Sequence, residues 1–491
     1  MPKKNKVKSP RKHRRHGMLT AYSIILIMII LIGIITNFLP SAQFNEAGDL
    51  INGSGVIGAS LSQILMSPIL GFANAIEIGI FILILGGLLA VITKTRALEN
   101  GIKALVHKLK GKEILLIPIL MFIFSILGST YGFLEESIGF YVLLAATMFA
   151  AGMDPLVGVA TILLGSGVGV IGSTVNPFAT GVVISSLPDE IKANQGLIML
   201  IAVALWIVSY LIATFFVVRY AKKVIKNKGS TFLSLREQHA AARRYGKYLT
   251  LENQARDQLT GRQKATLVLF GLTFLVMIIG FIPWHEFGIN FFDGFTGWLT
   301  GAQFGEWAFL EAALWFAIMA IIIAIINRFK EREFVDTFIK GASDMIGVFL
   351  IIAVARGVSV LMAQTHLDNF IIYNVSGWLA TLPEIIFVPL NYLVHVGLSF
   401  LVPSSSGLAV VSAPITVTTA AHLGYSVEVA SMTIVSANGL VNLFTPTCGA
   451  IMAGLALAKV EYSTWLRWVA KVILALLIAN IAILCIFALV L

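Results

Sequence analysis

Residues 128–137 read Gly-Ser-Thr-Tyr-Gly-Phe-Leu-Glu-Glu-Ser, and residues 403–407 read Pro-Ser-Ser-Ser-Gly. Each is a polar stretch held between two apolar runs. The runs beside the first, 113–128 and 137–152, have about 16 residues each, or roughly 24 Å of helix. A bilayer core is about 30 Å thick. Polar backbone cannot face lipid, so short arms with a polar joint predict a re-entrant hairpin with its tip at mid-membrane. The runs 384–402 and 407–423 predict a second hairpin around Pro403-Ser404-Ser405-Ser406-Gly407.

Composition supports the membrane reading. Of 491 residues, 58% are hydrophobic and 12% charged, with a mean hydropathy of +0.90. A soluble domain carries about 25% charged residues, so a soluble enzyme is excluded. The apolar runs are continuous rather than alternating, which predicts an all-α polytopic protein and not a barrel. The two cysteines, Cys448 and Cys485, lie inside apolar runs and exclude a disulfide scaffold.

The net charge of +10 is clustered. Lys and Arg crowd the tail before Gly17, the segment 94–112, the segment 219–264 and the stretch 328–340. Long stretches free of Lys and Arg separate them. That alternation is the positive-inside pattern of a lipid-embedded chain, not a nucleic-acid footprint. It predicts a cytoplasmic N-terminal tail over 1–17, a first transmembrane half over 18–218, a basic cytoplasmic loop over 219–264 and a second half over 265–491. Full crossings are expected at 19–39, 77–93, 196–218, 265–283, 308–327, 344–364 and 465–491. Residues 41–60 form an outside loop. Residues 155–186 and 427–458 read as broken helices. The first is interrupted at Gly165 to Gly169 and Ser173 to Pro177, the second at Ser436 to Gly439 and Asn442 to Thr447.

The two halves repeat. Glu77 with Gly79 and Phe81 resembles Asp344 with Gly347 and Phe349. Glu113 with Pro118 resembles Glu384 with Pro389. Phe133-Leu134 and Ser137 resemble Phe400-Leu401 and Ser404, and Val175-Asn176 resembles Val441-Asn442. Offsets stay between about 266 and 271 residues. Glu77 would start a helix running inward and Asp344 one running outward, so the repeats are inverted. The expected fold is about nine transmembrane helices plus two re-entrant hairpins in two inverted repeats with broken helices, the architecture of secondary transporters.

Irregular backbone at membrane depth needs a protein or water lining, so the tips and breaks are expected to meet. Their free N–H ends suit carboxylates, and their carbonyl, hydroxyl and amide oxygens suit a cation. The candidate substrate- or ion-binding residues are Ser129, Thr130, Ser137, Ser173, Thr174, Asn176 and Thr180 in the first half. In the second half they are Ser404, Ser405, Ser406, Asn438, Asn442, Thr445 and Thr447. Glu135 and Glu136 are acids at membrane depth, where charge is costly. Arg356 is the base expected within a span; it pairs with one of these acids or holds a substrate carboxylate. Glu77 and Asp344 can be read as helix-start acids. Gly167-x-Gly169-x-x-Gly172 matches a dinucleotide fingerprint but lacks the preceding strand. The histidines show no metal spacing, and His395 reads as packed. Cys448 reads as a small residue that permits close helix approach. No nucleophile–base pair or phosphate loop emerges, so neither an enzyme nor an ATP-driven pump is expected.

The segments Gly132-Phe133-Leu134-Glu135-Glu136 and Gly165-Ser166-Gly167-Val168-Gly169-Val170-Ile171-Gly172-Ser173-Thr174-Val175-Asn176-Pro177-Phe178-Ala179-Thr180-Gly181 resemble the YfcC-type proteins of the C4-dicarboxylate anaerobic carrier family, within the ion transporter superfamily. The likeness covers about residues 18–491. It implies a scaffold, a mobile transport domain and, in many members, a homodimer. It also implies a secondary transporter of small charged metabolites in the bacterial cytoplasmic membrane, with basic amino acid exchange of the arginine–ornithine type first and a Na⁺- or H⁺-coupled dicarboxylate carrier second. No cofactor is implied beyond coupling to Na⁺ or H⁺, and the partners are a small-molecule substrate and the lipid bilayer. The family's second hairpin usually reads Pro-Ser-Gly-Ser-Gly-Gln, where this chain has Pro403-Ser404-Ser405-Ser406-Gly407-Leu408. Its second break usually carries Gly-Asp-Gly, where this chain has Ala437-Asn438-Gly439.

Overall fold

A computed structural model describes residues 21–45, 50–51, 53–98, 100–101, 104, 112–246, 259–282, 284–292 and 294–491. The tail expected over 1–17 and part of the segment 94–112 lie outside the described residues. Helices α1 (Ala21–Thr36), α2 (Leu61–Asn74) and α3 (Ile76–Lys94) come first. Helix α4 (Leu116–Tyr131), a 3-10 turn at Glu136–Phe140 and α5 (Tyr141–Ala150) form the first hairpin. Helix α6 (Pro155–Ile171), a π-turn at Pro177–Gly181 and α7 (Val182–Ser185) form the first broken helix. Then come α8 (Gln195–Lys226), α9 (Leu235–Tyr245), α10 (Gly261–Phe281), α11 (Phe309–Ile326), α12 (Glu331–Thr365) and α13 (Leu367–Leu379). The second hairpin is α14 (Glu384–Leu401) with α15 (Ser405–His422), and the second broken helix is α16 (Val427–Val441) with α17 (Gly449–Ala458). Helix α18 (Tyr462–Val490) is last.

Eight helices among the described residues are long and apolar enough to cross a membrane. The expected nine crossings count differently, because the broken helices fall into pieces and α1 is described over only 16 residues. The first arms of both hairpins, Glu113–Thr130 and Glu384–Leu401, reach 18 residues each and enter the eight. Three helices were not expected from sequence, α2, α13 and, within the basic segment, α9. The crossing expected at 344–364 is the end of a single 35-residue helix, α12, roughly 52 Å long. Asp344 is therefore mid-helix and exposed, not a helix-start acid, whereas Glu77 does sit in the first turn of α3.

The glycine-rich stretches Gly165 to Gly169 and Ser436 to Gly439 are not breaks. Both stay helical and buried within α6 and α16. Their glycines serve close packing instead. A Cβ on Gly169 would meet the backbone N of Ser129 at 2.7 Å, and one on Gly165 would meet the Cα of Met121 at 3.1 Å. A Cβ on Gly439 would meet the Cα of Ile171 at 2.7 Å. Between helices in lipid there is no hydrophobic drive to associate, so small residues that let backbones touch supply the packing energy. The long helix α12 uses the same device against α2 and α3. A Cβ on Gly71 would meet the backbone N of Gly357 at 2.7 Å, and one on Gly86 would meet the carbonyl carbon of Gly341 at 3.1 Å. The core is built on α6 and α16, which pack against each other and are buried nearly all round.

Helix boundaries recur along the chain. Left-handed residues follow α3 and close α12, Arg96 at φ 58° and His366 at φ 54°. Glycines at φ 79° and 77°, Gly152 and Gly424, follow each hairpin. The N-caps Asp154 and Ser426 then start α6 and α16.

Of the segment 219–264, residues 247–258 lie outside the described residues, and 219–246 are more ordered than a loop. Helix α8 continues into it as far as Lys226, and α9 is tied down by Glu237. The buried Glu237 carboxylate accepts from the N–H groups of Ser234 (2.7 Å) and Glu461 (2.8 Å) and from the Thr464 hydroxyl (2.9 Å). This pins α9 to the start of α18. Nearby, the Asp154 carboxylate accepts from the Tyr220 hydroxyl at 2.5 Å and the Thr231 hydroxyl at 2.6 Å, joining α6, α8 and the same segment.

Two stability effects follow from this packing. Gly169→Val overpacks the α4–α6 contact and lowers stability by about 1–3 kcal/mol, read as a fall in the thermal midpoint of the detergent-solubilised protein. Glu237→Ala leaves two backbone N–H groups without acceptors, at about 2 kcal/mol. Limited proteolysis within 228–260 is expected to accelerate in that variant while the membrane helices stay intact.

Candidate functional site

Both tips and both breaks line one cavity of about 1030 Å³ of empty space, measured with its open mouth. Gly132, Leu134 and Glu135 come from the first tip, and Pro403 to Ser406 from the second. Asn176 and Phe178 come from the first break, and Asn442, Thr447, Cys448 and Gly449 from the second. Helix α12 adds Ile352 and Arg356, and α11 adds Phe309.

Each tip is stitched to its break by the same bond. The Thr174 hydroxyl donates to the Ser129 carbonyl (3.3 Å), and the Thr445 hydroxyl donates to the Phe400 carbonyl (3.1 Å). Both carbonyls lie at the end of a hairpin arm, where helical acceptors lose their partners. The offset is 271 residues in each case, from 129 to 400 and from 174 to 445. By this register Asn176 stands opposite Thr447, not Asn442 as the paired Val-Asn dipeptides suggest. The second break is longer, running from Asn442 to Cys448, and the dipeptide match slips across it.

Around the first break, the Ser129 hydroxyl donates to the Gly172 carbonyl (2.6 Å) and the Thr180 hydroxyl to the Ser173 carbonyl (2.6 Å). The Asn176 amide donates to the Ser173 hydroxyl (3.1 Å), and its oxygen accepts from the Phe178 N–H (3.0 Å). Gly132 must turn at φ 85° here, and a Cβ on it would lie 3.1 Å from the Asn176 amide nitrogen. Around the second break, the Thr447 hydroxyl donates to the Phe400 carbonyl at 2.7 Å. The Ser405 hydroxyl donates to the Asn438 side-chain oxygen at 2.7 Å. The Asn442 amide donates to that same oxygen and to the Pro403 carbonyl, each at 2.9 Å. These two bonds fix its orientation and leave the Asn442 Oδ1 buried with no partner.

Among the described residues that line the cavity, the one ion pair joins Arg356 to Glu135 at 3.0 Å through a single guanidinium nitrogen. Their side chains are 27% and 26% exposed, so the pair is open to the cavity. Two helix N-termini also face it. The Ser404 hydroxyl caps α15 by accepting from the Gly407 N–H (3.2 Å), which leaves Ser405 and Ser406 at the first turn. Cys448 precedes α17 without a side-chain cap, and Gly449 opens that helix.

Of the residues expected at the site, Glu135, Asn176, Arg356, Ser404, Ser405, Ser406, Asn442 and Thr447 line the cavity. Ser129, Thr174, Ser173, Thr180, Asn438 and Thr445 stand behind them as the hydrogen-bond supports of tip and break. Thr130 and Ser137 only bond carbonyls of their own turns. The side chain of Glu136 lies outside the described residues. His395 is packed within the second hairpin, its ring bonded to the Asn391 carbonyl and the Ser412 hydroxyl. Sequence reading passed over Phe178, Phe309, Ile352 and Cys448. Phe178 is more than half exposed inside a break, and its place next to Asn176 and Pro177 was the available signal.

The model of the C4-dicarboxylate anaerobic carrier family (DcuC) matches residues 18–489. An uncharacterized protein of Haemophilus influenzae is 30% identical over 425 residues, 85% of this chain and 76% of that one. The "Putative basic amino acid antiporter YfcC" of Escherichia coli is 24% identical over 407 residues, 81% of this chain and 74% of that one. Among solved structures, the Alcanivorax borkumensis YdaH transporter aligns over 96% of this chain and 98% of its own, at 14% identity and a TM-score of 0.44. The Neisseria gonorrhoeae MtrF structure aligns over 97% and 96%, at 20% identity and a TM-score of 0.43. With its membrane-length helices, the chain is a multi-pass membrane transporter of the DcuC/YfcC type, and it belongs to the C4-dicarboxylate anaerobic carrier family.

Proposed function

We propose that this protein is a secondary active transporter of the bacterial cytoplasmic membrane that exchanges basic amino acids, with the 219–264 segment in the cytoplasm. The observation that carries this reading is a cavity that holds the Glu135 carboxylate and is lined by Asn442, whose buried Oδ1 has no partner among the described residues. Both are acceptors, and a buried acceptor is costly until a donor arrives. An α-amino acid with a cationic side chain brings two donors and one carboxylate. Its carboxylate suits the α15 and α17 N-termini, each equivalent to about half a positive charge. Its ammonium suits Asn442, and its side-chain cation suits Glu135. The name given to the Escherichia coli relative agrees with this substrate class.

A second reading is a Na⁺- or H⁺-coupled C4-dicarboxylate carrier, favoured by the family description and by Arg356. A dicarboxylate brings no donor for Asn442, and one of its carboxylates would have to take Arg356 from Glu135.

Proteoliposomes loaded with arginine are expected to take up labelled arginine, lysine and ornithine, and not succinate. Succinate uptake without arginine uptake would establish the second reading instead. Glu135→Gln is expected to lower arginine uptake at least about tenfold, the scale of losing one charge-assisted contact, with the variant still monodisperse in detergent. For orientation, a cysteine at Ala242 in a Cys-free background is expected to resist impermeant maleimide in intact cells and to react once the membrane is opened.

A further inference from the structure

We propose that Arg356 is a built-in stand-in for the substrate's cationic side chain, and that its contact with Glu135 locks the empty carrier and so enforces exchange. The inference rests on the basic amino acid reading above and adds the rule by which the carrier moves.

Arg356 lies on α12, which packs along α1, α2 and α3 and also on α17 of the second broken helix. Glu135 lies at the tip between α4 and α5, and α4 packs on α6 and α8. The Arg356–Glu135 bond is thus the charged tie between α12 and the first hairpin tip inside the cavity, added to the apolar contacts that α3 and α17 make with the Glu136–Phe140 turn. A guanidinium already occupies the carboxylate that a guanidinium or ammonium substrate would seek. The pair has the properties of a replaceable lock. It uses one nitrogen of Arg356 rather than a two-pronged fork, and about a quarter of each side chain is exposed to the cavity. Single-pronged, partly hydrated pairs are weak enough for a competing cation to displace.

The sequence of events follows from charge. With the cavity empty, Arg356 neutralises Glu135, and the tip stays tied to α12. A cationic substrate placed on Glu135 does the neutralising itself, and Arg356 is released from the tip. The tie is broken only while substrate is bound, so the carrier reorients loaded and rests when empty. A ligand shifts such an equilibrium only through its different affinity for the two states, and here the difference is whether Glu135 is free. Neutral amino acids of equal size lack the cation and leave the lock closed.

The test compares two fluxes in proteoliposomes, labelled arginine uptake into arginine-loaded vesicles and into substrate-free vesicles held at zero membrane potential. The wild type is expected to show uptake into loaded vesicles at least about tenfold faster, within the usual range for coupling between two sites. In Arg356→Gln the uptake into empty vesicles is expected to rise to within about threefold of the same variant's exchange rate. Arg356→Lys keeps a cation beside Glu135 and is expected to keep the dependence on internal arginine. Arg356→Met, which retains length without charge, repeats the test should the Gln variant fail to reconstitute. If the uncharged variants carry arginine only into loaded vesicles, Arg356 is a structural ion-pair partner and the inference is overturned. If the wild type carries no basic amino acid under either condition, the failure is that of the substrate reading.

Discussion

Two carbonyls in the last turns of the hairpins' first arms, those of Ser129 and Phe400, set the terms for the rest of the molecule. A helix that stops inside a membrane leaves acceptors with no water to meet them. Thr174 and Thr445 supply the missing donors from the two breaks. The breaks have the same need and meet it from their surroundings. In the second, Trp465 donates to the Leu443 carbonyl at 2.9 Å and Tyr462 to the Phe444 carbonyl at 2.6 Å. In the first, the hydroxyls of Ser129 and Thr180 cover the carbonyls of Gly172 and Ser173. Neither tip nor break is satisfied alone, which is why all four meet at one place and enclose one cavity.

That meeting also decides the cavity's electrostatics. Stopping α14 at the second tip and restarting the chain as α15 points one N-terminus inward, and the second break does the same with α17. These fixed dipoles favour one carboxylate. Glu135 and Arg356 then sit in the remaining wall as a neutral pair, so the empty cavity carries no unbalanced formal charge from the described residues that line it. An ion pair only a quarter exposed avoids most of the desolvation cost of full burial. It also stays within reach of a charged solute.

Much of this was legible in the sequence, for a physical reason. Polar residues between apolar arms admit few arrangements in lipid, so the hairpins, the later break of each broken helix and the polar side chains of the lining other than Cys448 could be named from the chain alone. The misreadings share a cause as well. Glycine was read as a helix breaker at Gly165 to Gly169 and at Gly439, where in lipid it is the residue that lets two helices touch. Helix α12 runs unbroken through Gly341, where it meets Gly86 of α3, so no helix boundary falls near Asp344 as the charge pattern suggests. Helices α2 and α13 lack the length of a span and so gave no hydropathy signal. The Arg356–Glu135 pairing could be guessed by charge, but choosing Glu135 needed the turn at Gly132.

The two hairpins carry matching threonine bonds and differ in chemistry. At the offset of 271 set by the threonine bonds, Ser399 stands opposite Gly128, His395 opposite Phe124 and Asn391 opposite Leu120. The first hairpin uses its glycine for close approach to α6, where a Cβ on Gly128 would meet the Cα of Ser166 at 3.2 Å. The second hairpin instead buries a polar file. His395 bonds Ser412, which bonds Thr416 at 3.4 Å, which bonds Ser376 at 3.1 Å. The Asn391 amide and the Ser399 hydroxyl stay buried without partners. Polar groups held dry in this way carry a standing cost, whereas the glycine contacts of the first hairpin do not. The first half is therefore the tightly packed partner, and its acid Glu135 is held at a well-defined tip. The second half contributes the oxygens and N–H groups of the cavity and holds the larger share of unspent hydrogen-bonding capacity.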